Sequence, residues 1–543
     1  MAGAKVAGWG GMNRFVKFAA ACIGLSLALA ATGHAATYPV EERSVAQLQA
    51  DMTAGRVTSE ALVRAYLARI QALDRNGPRL HSVISVNPTA LAQAHALDAE
   101  RRAKGPRGPL HGVPMVLKDN IETTDPMPTT AGSLALKDNV TGRDSGLAAR
   151  LRAAGAVILG KANLSEWANF RSTRSISGWS AVGGLVKNPY ALDRSACGSS
   201  AGSAVAAAAS LAAATVGTET DGSITCPASS NGVVGLKPTL GLVSRGRIVP
   251  ISHLQDTAGP MGRTVADVAA LLTVLAGPDP ADPATAGAGA HAQDFTAALD
   301  PGALKGARLG VLRFATRGAA TDQVFEAALA RLKAAGAELV EITDYRPPAA
   351  LDAAEGPALQ AEFHADLDAY LATTPAAVRA RSLDALIVFN RASPREMALF
   401  GQQMFEAAAA SPGLDDPQYR AARAEIVRLA GREGIDKLLA DYKVEALISP
   451  SRAPASRIDL VNGDRGVGVG AGGLAAVAGY PHLTVPMGAV EGLPVGLSLM
   501  GPAWSDARLL ALGYAFEQAW PARKPPTYAP SVEAGRAAVL SPP

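Results

Sequence analysis

The sequence predicts an α/β protein with a largely buried sheet, because short apolar runs alternate with stretches of helical periodicity. Strand-like runs occur at "GVPMVLKDN", "ARLGVLR" and "AELVEI". Between the last two lies "DQVFEAALARLKAAG", whose apolar residues recur every three or four positions, as they do on one face of a helix. This alternation favours a sheet covered by helices.

The composition narrows the class of protein. Of the 543 residues, 48% are hydrophobic and 18% are charged, which is ordinary for a globular enzyme and excludes a disordered chain. The formal net charge is only +3, and no long Lys/Arg run or basic stripe with interleaved aromatics occurs. A nucleic-acid partner is therefore not expected.

The N-terminus has the pattern of a secretory signal peptide. Basic residues precede the apolar run "FAAACIGLSLALAAT", and no acidic residue occurs before Glu41. Gly33 and Ala35 are small residues at the two positions that signal peptidase reads. We expect residues 1–35 to be removed, leaving a periplasmic or secreted protein without a membrane anchor.

The remaining elements are predicted in order along the chain. Residues 45–104 have helical periodicity, and "GVPMVLKDN" follows as a strand. "AVILGKANLSEWAN" predicts a strand that runs into a helix, and the alanine-rich "SAVAAAASLAAATVG" predicts one continuous helix. Residues 277–293 are rich in Pro, Gly and Ala and predict a loop within the domain.

The C-terminal half begins with a helical segment. Residues 350–440 are predicted to be almost purely helical, and they either cap a cleft or form a plain structural insertion. Beyond them, "EALISPS", "HLTVPMG" and "PVGLSLMGP" predict strands, and "SDARLLALGYAFEQAW" predicts a closing helix.

Two cysteines remain after the expected cleavage, Cys197 and Cys226. An oxidising compartment permits a bond between them, but their spacing alone does not decide it. We expect two small buried thiols.

Three stretches of the sequence are candidates for chemistry. Lys118 ends the apolar strand of "HGVPMVLKDN", where a charged side chain either reaches solvent or has a functional partner. "CGSSAGSA" is a Gly/Ser loop that opens a helix and offers backbone N–H groups and hydroxyls. In "GTETDGSITCP", small residues before Ser223 can turn several N–H groups to one point, as an oxyanion hole requires.

The Gly/Ser loop also matches G-x-S-x-G, with Ser200 in the middle, the nucleophile-elbow pattern of α/β-hydrolases. That elbow needs a preceding strand, which "YALDRSACG" does not resemble, and a later histidine; His482 is available but nothing positions it. "GVGVGAGG" lacks the strand and acidic residue of a dinucleotide loop, and no H-E-x-x-H or paired CxxC occurs. No metal or cofactor is expected.

Taken together, "HGVPMVLKDN", "ACGSSAGSA" and "GTETDGSITCPASSNGVVGLKPT" resemble the amidase signature family. The resemblance continues through "GKANLSEWAN" and "AGYPHLTVPMG" and covers nearly all of the chain after residue 35. It implies a single large domain over residues 36–543, with a central mixed β-sheet flanked by helices. Family members often have two glycines before the nucleophile, whereas this chain has Asp221 and Gly222 there.

The resemblance implies a role for each site residue. Ser223 would be the nucleophile, Ser199 a bridging serine on a cis peptide bond, and Lys118 the base, which must be neutral to accept a proton. Ser200 and Thr218 would orient this network, and Asp119 would fix Lys118 or a loop. The oxyanion would be held by four backbone N–H groups, those of Thr220, Asp221, Gly222 and Ser223.

The motifs look most like those of bacterial peptide amidases, which remove the C-terminal carboxamide of peptides. This resemblance implies an exported, cofactor-free hydrolase that acts through an acyl-enzyme on a small-molecule or peptide amide. Three alternatives stay open: a general aliphatic or aryl amidase of the same family, an esterase that uses Ser200, and one component of a tRNA-dependent amidotransferase complex, which the signal peptide disfavours. The sequence does not indicate an oligomeric state.

Overall fold

The computed structural model describes residues 38–316, 318–464 and 469–533. The predicted signal peptide, residues 1–35, lies outside these ranges, so that prediction stays untested. Within the described ranges, no helix is both long and apolar enough to span a bilayer.

Strands and helices alternate through most of the described chain. The strands are β1 (Val83–Val86), β2 (Pro114–Lys118), β3 (Val157–Ala162), β4 (Trp179–Ser180), β5 (Gly184–Leu185), β6 (Ala214–Glu219), β7 (Val234–Lys237), β8 (Thr257–Gly262), β9 (Arg308–Leu312), β10 (Glu338–Ile342), β11 (Ala446–Pro450), β12 (His482–Val490) and β13 (Leu493–Met500). The α-helices are α1 (Val45–Thr53), α2 (Ser59–Arg69), α3 (Ala90–Lys104), α4 (Gly146–Ala153), α5 (Ala201–Ala208), α6 (Thr225–Ser230), α7 (Val265–Leu275), α8 (Ala319–Ala334), α9 (Ala349–Ala372), α10 (Leu383–Ala392), α11 (Gln403–Ala409), α12 (Pro417–Ala430), α13 (Lys437–Tyr442), α14 (Gly472–Ala478) and α15 (Asp506–Ala519).

Eleven of the strands form one mixed sheet, which confirms the predicted fold class. Their order is β1-β3-β2-β6-β8-β7-β12-β13-β11-β9-β10. In its first half, β2 lies parallel to both β3 and β6, whereas β6 and β8 are antiparallel. Helices cover the sheet, and the main core contains fully buried side chains from both, such as Val116, Val216 and Leu271. Each such side chain contributes about 1.5–3 kcal/mol on burial.

The sheet brings two distant segments to one edge. Met115 of β2 lies opposite Ala214 of β6, and Leu117 lies opposite Val216. Because the strands are parallel, both end at the same edge of the sheet. Lys118, the last residue of β2, is thereby placed beside the residues that follow β6.

Two stretches predicted to be helical contain strands instead. The alanine-rich helix ends at Ala208, and β6 begins at Ala214, after a turn in which Ser210 has a φ of +52°. Pairing with β2 and β8 outweighs the local helix preference of the alanines. Likewise, β1 interrupts the predicted helical stretch 45–104 and pairs antiparallel with β3.

Two further predictions need adjustment, and one is confirmed. The helix expected after β3 is only a short turn, Glu166–Asn169, in which Trp167 and Ala168 have positive φ. The predicted loop 277–293 contains a 3₁₀ helix, Pro283–Ala290. The segment 350–440 is helical as predicted and contributes α9 to α12.

Candidate active site

Lys118 is completely buried at the end of β2 and is held by two residues. Its Nζ lies 2.8 Å from Ser199 Oγ, 2.8 Å from Thr218 Oγ1 and 3.2 Å from the Thr218 carbonyl oxygen. Burial lowers the pKa of Lys118 from 10.5 to about 7, although the carboxylates of Asp256 and Glu219 act in the opposite direction. A lysine in this environment is neutral for a substantial fraction of the time near neutral pH.

Ser199 lies in the loop that leads into α5. The resemblance implied a cis bond at this residue, and the peptide bond Gly198–Ser199 is cis. The carbonyl of Ser199 accepts a hydrogen bond from the backbone N–H of Ser165 at 3.0 Å. Ser199 is completely buried, so its hydroxyl contacts Lys118 away from bulk water.

Ser223 follows β6 and faces a cavity of about 330 Å³. Among the described residues, its hydroxyl makes no hydrogen bond, whereas its carbonyl accepts one from the Ser200 N–H at 3.1 Å. Gly222 has a φ of +75°, a conformation that favours glycine. Asp221, Gly222 and Ser223 have no backbone N–H bonded within the described chain, so these donors are available to a ligand.

Glu219, the last residue of β6, fixes the chain just beyond Ser223. One of its carboxylate oxygens accepts the N–H groups of Ile224 at 2.7 Å and Thr225 at 2.9 Å. These N–H groups begin α6, where a carboxylate is favourable. The anchored helix start holds the preceding loop in place.

Thr220 is anchored from the other side of the loop. Its hydroxyl donates to Asp256 at 2.6 Å, and Asp256 also accepts the backbone N–H groups of Ile251 and Ser252. The Thr220 carbonyl accepts a hydrogen bond from the Gln255 side chain at 3.2 Å. The segment 251–256 thus fixes the loop that carries the four predicted oxyanion donors.

Ser200 and Thr218 support this arrangement. The Ser200 hydroxyl donates to the Thr218 carbonyl at 3.0 Å and is completely buried. The Thr218 hydroxyl oxygen lies between two donors, Lys118 Nζ at 2.8 Å and Asn120 Nδ2 at 3.0 Å. No strand precedes Ser200, and His482 is bonded to Ser498 on another part of the sheet, so the geometry of a nucleophile elbow is absent from the described chain.

The two cysteines form a disulfide, so the expectation of two separate thiols was wrong. Cys197 stands two residues before Ser199, and Cys226 lies in the first turn of α6, three residues after Ser223. The folded chain brings their Cα atoms to 6.0 Å, within bonding range, and the spacing in sequence carried no information on this. The disulfide joins the two loops that carry the candidate serines.

Asp119 and Asp221 have different surroundings. Asp119 accepts hydrogen bonds from Thr130 and so fixes a loop rather than Lys118; burial raises its pKa to about 6. Asp221 lines the Ser223 cavity and an adjoining one that it shares with Asp352 and Glu355. Desolvation raises the pKa of Asp221 well above its usual range, and the nearby Glu355 carboxylate adds to the effect.

The Ser223 cavity has both apolar and polar walls, and its charged lining residues are Asp221, Arg452 and Asp464. Phe170, Ile251 and Leu359 of α9 line it, together with the disulfide. A second cavity of about 510 Å³ lies beside it, and Ala168, Thr220 and Ile251 line both. The helical segment 350–440 therefore contributes to the walls of the cleft.

Several of these residues were not singled out from the sequence. Glu219 stands within "GTETDGS", and Asp256 follows a loop with no motif of its own. The signal that was available for Glu219 is a carboxylate directly before a Gly/Ser turn and a helix start, which is a capping pattern. Asp256 acts through contacts that only the fold creates.

The chain is similar to known proteins over most of its length. A family model described as Amidase matches residues 61–510. The solved peptide amidase of Stenotrophomonas maltophilia is 52% identical, with a TM-score of 0.86, and the match covers 90% of this chain and 99% of that one. A probable amidase of Arabidopsis thaliana is 38% identical over 505 residues, 91% of this chain and 93% of the relative. One component of the glutamyl-tRNA(Gln) amidotransferase of a Synechococcus species is 36% identical over 493 residues, 88% and 92% of the two chains.

The family model spans most of the chain, and the solved relative has the same fold and is identical at more than half of the aligned residues. The chain therefore belongs to the amidase family, the amidase signature enzymes, and is a hydrolase that acts on the carbon–nitrogen bond of amides.

Proposed function

We propose that this amidase is an exported enzyme that removes the C-terminal carboxamide of peptides through Ser223, Ser199 and Lys118. The observation that carries the proposal is the contact of 2.8 Å between the buried Lys118, whose pKa is lowered, and the hydroxyl of Ser199. Gly198, the residue before Ser199, lines the same cavity as Ser223. A base of this kind can activate a serine without a histidine.

The hydrogen bonds around Lys118 favour one direction of proton transfer. A neutral lysine has two N–H donors and one lone pair. The Thr218 carbonyl can only accept, and the Thr218 hydroxyl is a second acceptor for Lys118. Both donors are then used, and the lone pair is left for the proton of the Ser199 hydroxyl.

The reaction then proceeds in two halves. Ser223 Oγ attacks the carboxamide carbon while its proton passes to Ser199 and that of Ser199 passes to Lys118. The oxyanion is stabilised by the free backbone N–H groups of Asp221, Gly222 and Ser223. Protonated Lys118, through Ser199, returns a proton to the leaving nitrogen, and ammonia departs. Water then attacks the acyl-enzyme, so that carboxamide and water become carboxylate and ammonia.

The preference for peptide amides rests on similarity and on the cavity. The Stenotrophomonas relative is a peptide amidase, and the two chains are similar over nearly their whole length. Apolar walls from Phe170, Ile251 and Leu359 suit the side chain of a peptide residue. A role within an amidotransferase complex is the second candidate, since one component of such a complex is 36% identical.

Export is supported by the N-terminal pattern and by the disulfide. The basic residues, apolar run and small residues before position 36 are typical of a signal peptide. A disulfide between Cys197 and Cys226 persists in an oxidising compartment and is uncommon in the cytosol. Both observations favour the periplasm or the medium over the cytosol.

Ammonia release from peptide amides, short aliphatic amides and aryl anilides tests the substrate. Strong preference for the short aliphatic amides would contradict the peptide-amide proposal. Variants Lys118→Ala, Ser199→Ala and Ser223→Ala should each lose most of the activity. A Ser223→Ala enzyme that keeps near-native rates, with an inactive Ser200→Ala enzyme, would favour the elbow instead. Co-purification with other proteins of an amidotransferase complex, together with an aminoacyl-tRNA activity, would favour the second candidate.

A further inference from the structure

Arg452 lies in the Ser223 cavity and has no hydrogen-bond or ion-pair partner among the described residues. It is the second residue after the end of β11 and lines the cavity with Ser223, Thr220 and Gly222. It is the one basic side chain along this cavity among the described residues. The guanidinium of Arg452 makes no hydrogen bond and no ion pair with any of these described residues.

The neighbouring cavity shows what is unusual about this arginine. There, Arg245 bonds to Asp282 at 2.9 Å and Arg143 bonds to Glu122. Both guanidinium groups are thereby satisfied by carboxylates, and Arg247, which lines the same cavity, donates to the Asp144 carbonyl at 2.9 Å. Arg452 has the charge of Asp464, which lines the same cavity without forming an ion pair with it and whose carboxylate accepts the backbone N–H of Ser177 at 2.9 Å.

Removing a guanidinium from water without a partner costs free energy, unless a ligand forms hydrogen bonds with it. Burial lowers the pKa of Arg452, which reflects its partial loss of water. A carboxylate is the group that best satisfies a guanidinium, because two oxygens match two N–H donors and the charges cancel.

The geometry points to Arg452 as a specificity residue that binds an acidic side chain of the substrate, at the residue carrying the carboxamide or the one before it. This inference rests on the proposed peptide-amide activity and adds a preference within it. Asp221 and Asp464 also line the cavity, and Arg452 is the group among the described lining residues that attracts an acidic side chain. Arg452 acts on binding and takes no part in the proton transfers.

The test uses six N-acetylated dipeptide amides with leucine as the constant residue. Glu, Met or Lys occupies either the C-terminal or the preceding position, and Met is a neutral match for the length of Glu that has no second carboxamide. The wild-type enzyme should show a kcat/KM about 10- to 100-fold higher for Glu than for Met in at least one position, from the usual strength of a hydrogen-bonded charge pair.

Substitution of Arg452 should change this ratio in a graded way. Arg452→Lys should keep part of the preference, Arg452→Met should bring the ratio to one or below, and Arg452→Glu should move the preference to Lys. The matched control is Arg457→Met, five residues further on, outside the cavity and paired with Glu533, which should keep the wild-type ratio. Thermal unfolding of each variant shows whether it is folded.

Each outcome decides the inference. A wild-type enzyme that hydrolyses the Met peptides well but shows no preference for Glu at either position overturns the role of Arg452 and leaves the proposed function intact. An equal loss on all six peptides in Arg452→Met also overturns it, since that result assigns Arg452 to the peptide main chain. A wild-type enzyme that releases no ammonia from any of the six overturns both the inference and the proposed function.

Discussion

Lowering the pH from 8 to 6 should reduce kcat/KM about tenfold, because Lys118 must be neutral to accept a proton. Its pKa is lowered to about 7 by burial. With that value, roughly 90% of the lysine is neutral at pH 8 and roughly 10% at pH 6. An exposed lysine would be neutral in only about 0.03% of molecules at pH 7, so burial increases the fraction of active base about a thousandfold.

The assay is ammonia release from one peptide amide at constant ionic strength, at half-unit steps from pH 5.5 to 9. Circular dichroism at each pH excludes unfolding as the cause of the acid limb. Lys118→Arg keeps a cation at the site but cannot be deprotonated, so it should be inactive over the whole range. A kcat/KM that is flat between pH 6 and 8, or a Lys118→Arg enzyme with the wild-type profile, would refute the assignment of Lys118 as the base.

Two more predictions follow from the loop before and after Ser223. Gly222→Ala should lower kcat at least about tenfold and reduce the free energy of unfolding by about 1 kcal/mol. The space beside Gly222 is open, but alanine disfavours the φ of +75° that this residue adopts. An unchanged kcat would contradict a role for this loop in oxyanion binding. The double variant Cys197→Ser/Cys226→Ser should lose about 3–4 kcal/mol in urea-induced unfolding, since the bond closes a loop with a sequence separation of 29. A loss below about 1 kcal/mol would show that the bond constrains the unfolded chain little.

The strands that the sequence predicted well are those with continuous apolar runs. β2, β9 and the three strands near the C-terminus are largely buried runs, and such runs have few alternatives to a covered sheet. β10 is the outermost strand, and its apolar residues are interspersed with the exposed Glu338 and Glu341. β6 was missed because it follows directly on an alanine-rich stretch that ends at Ala214, and the local preference of alanine is helical. Only its pairing with β2 and β8, distant in sequence, makes it a strand.

The candidate site likewise contains residues that the sequence predicted and contacts that it did not. Lys118, Ser199 and Ser223 stand in short motifs with fixed local context, and the family resemblance led us to expect the contact that the structure shows between Lys118 and Ser199. The disulfide joins segments far apart in the chain, and the place of Arg452 in the Ser223 cavity also depends on the fold. No local sequence pattern encodes either feature. Asp256 is a third case, because its bond to Thr220 exists only once segment 251–256 packs beside β6.

The strand order also has a consequence for synthesis of the chain. β7 pairs with β12 on one side, with His482 opposite Lys237, so the interior of the sheet is completed by a strand made near the end of translation. Until β12 emerges from the ribosome, β7 is an open edge in an otherwise formed half-sheet. Open edges of this kind invite pairing with other chains. Nascent or truncated chains that stop before His482 should therefore be the species that chaperones must protect from aggregation.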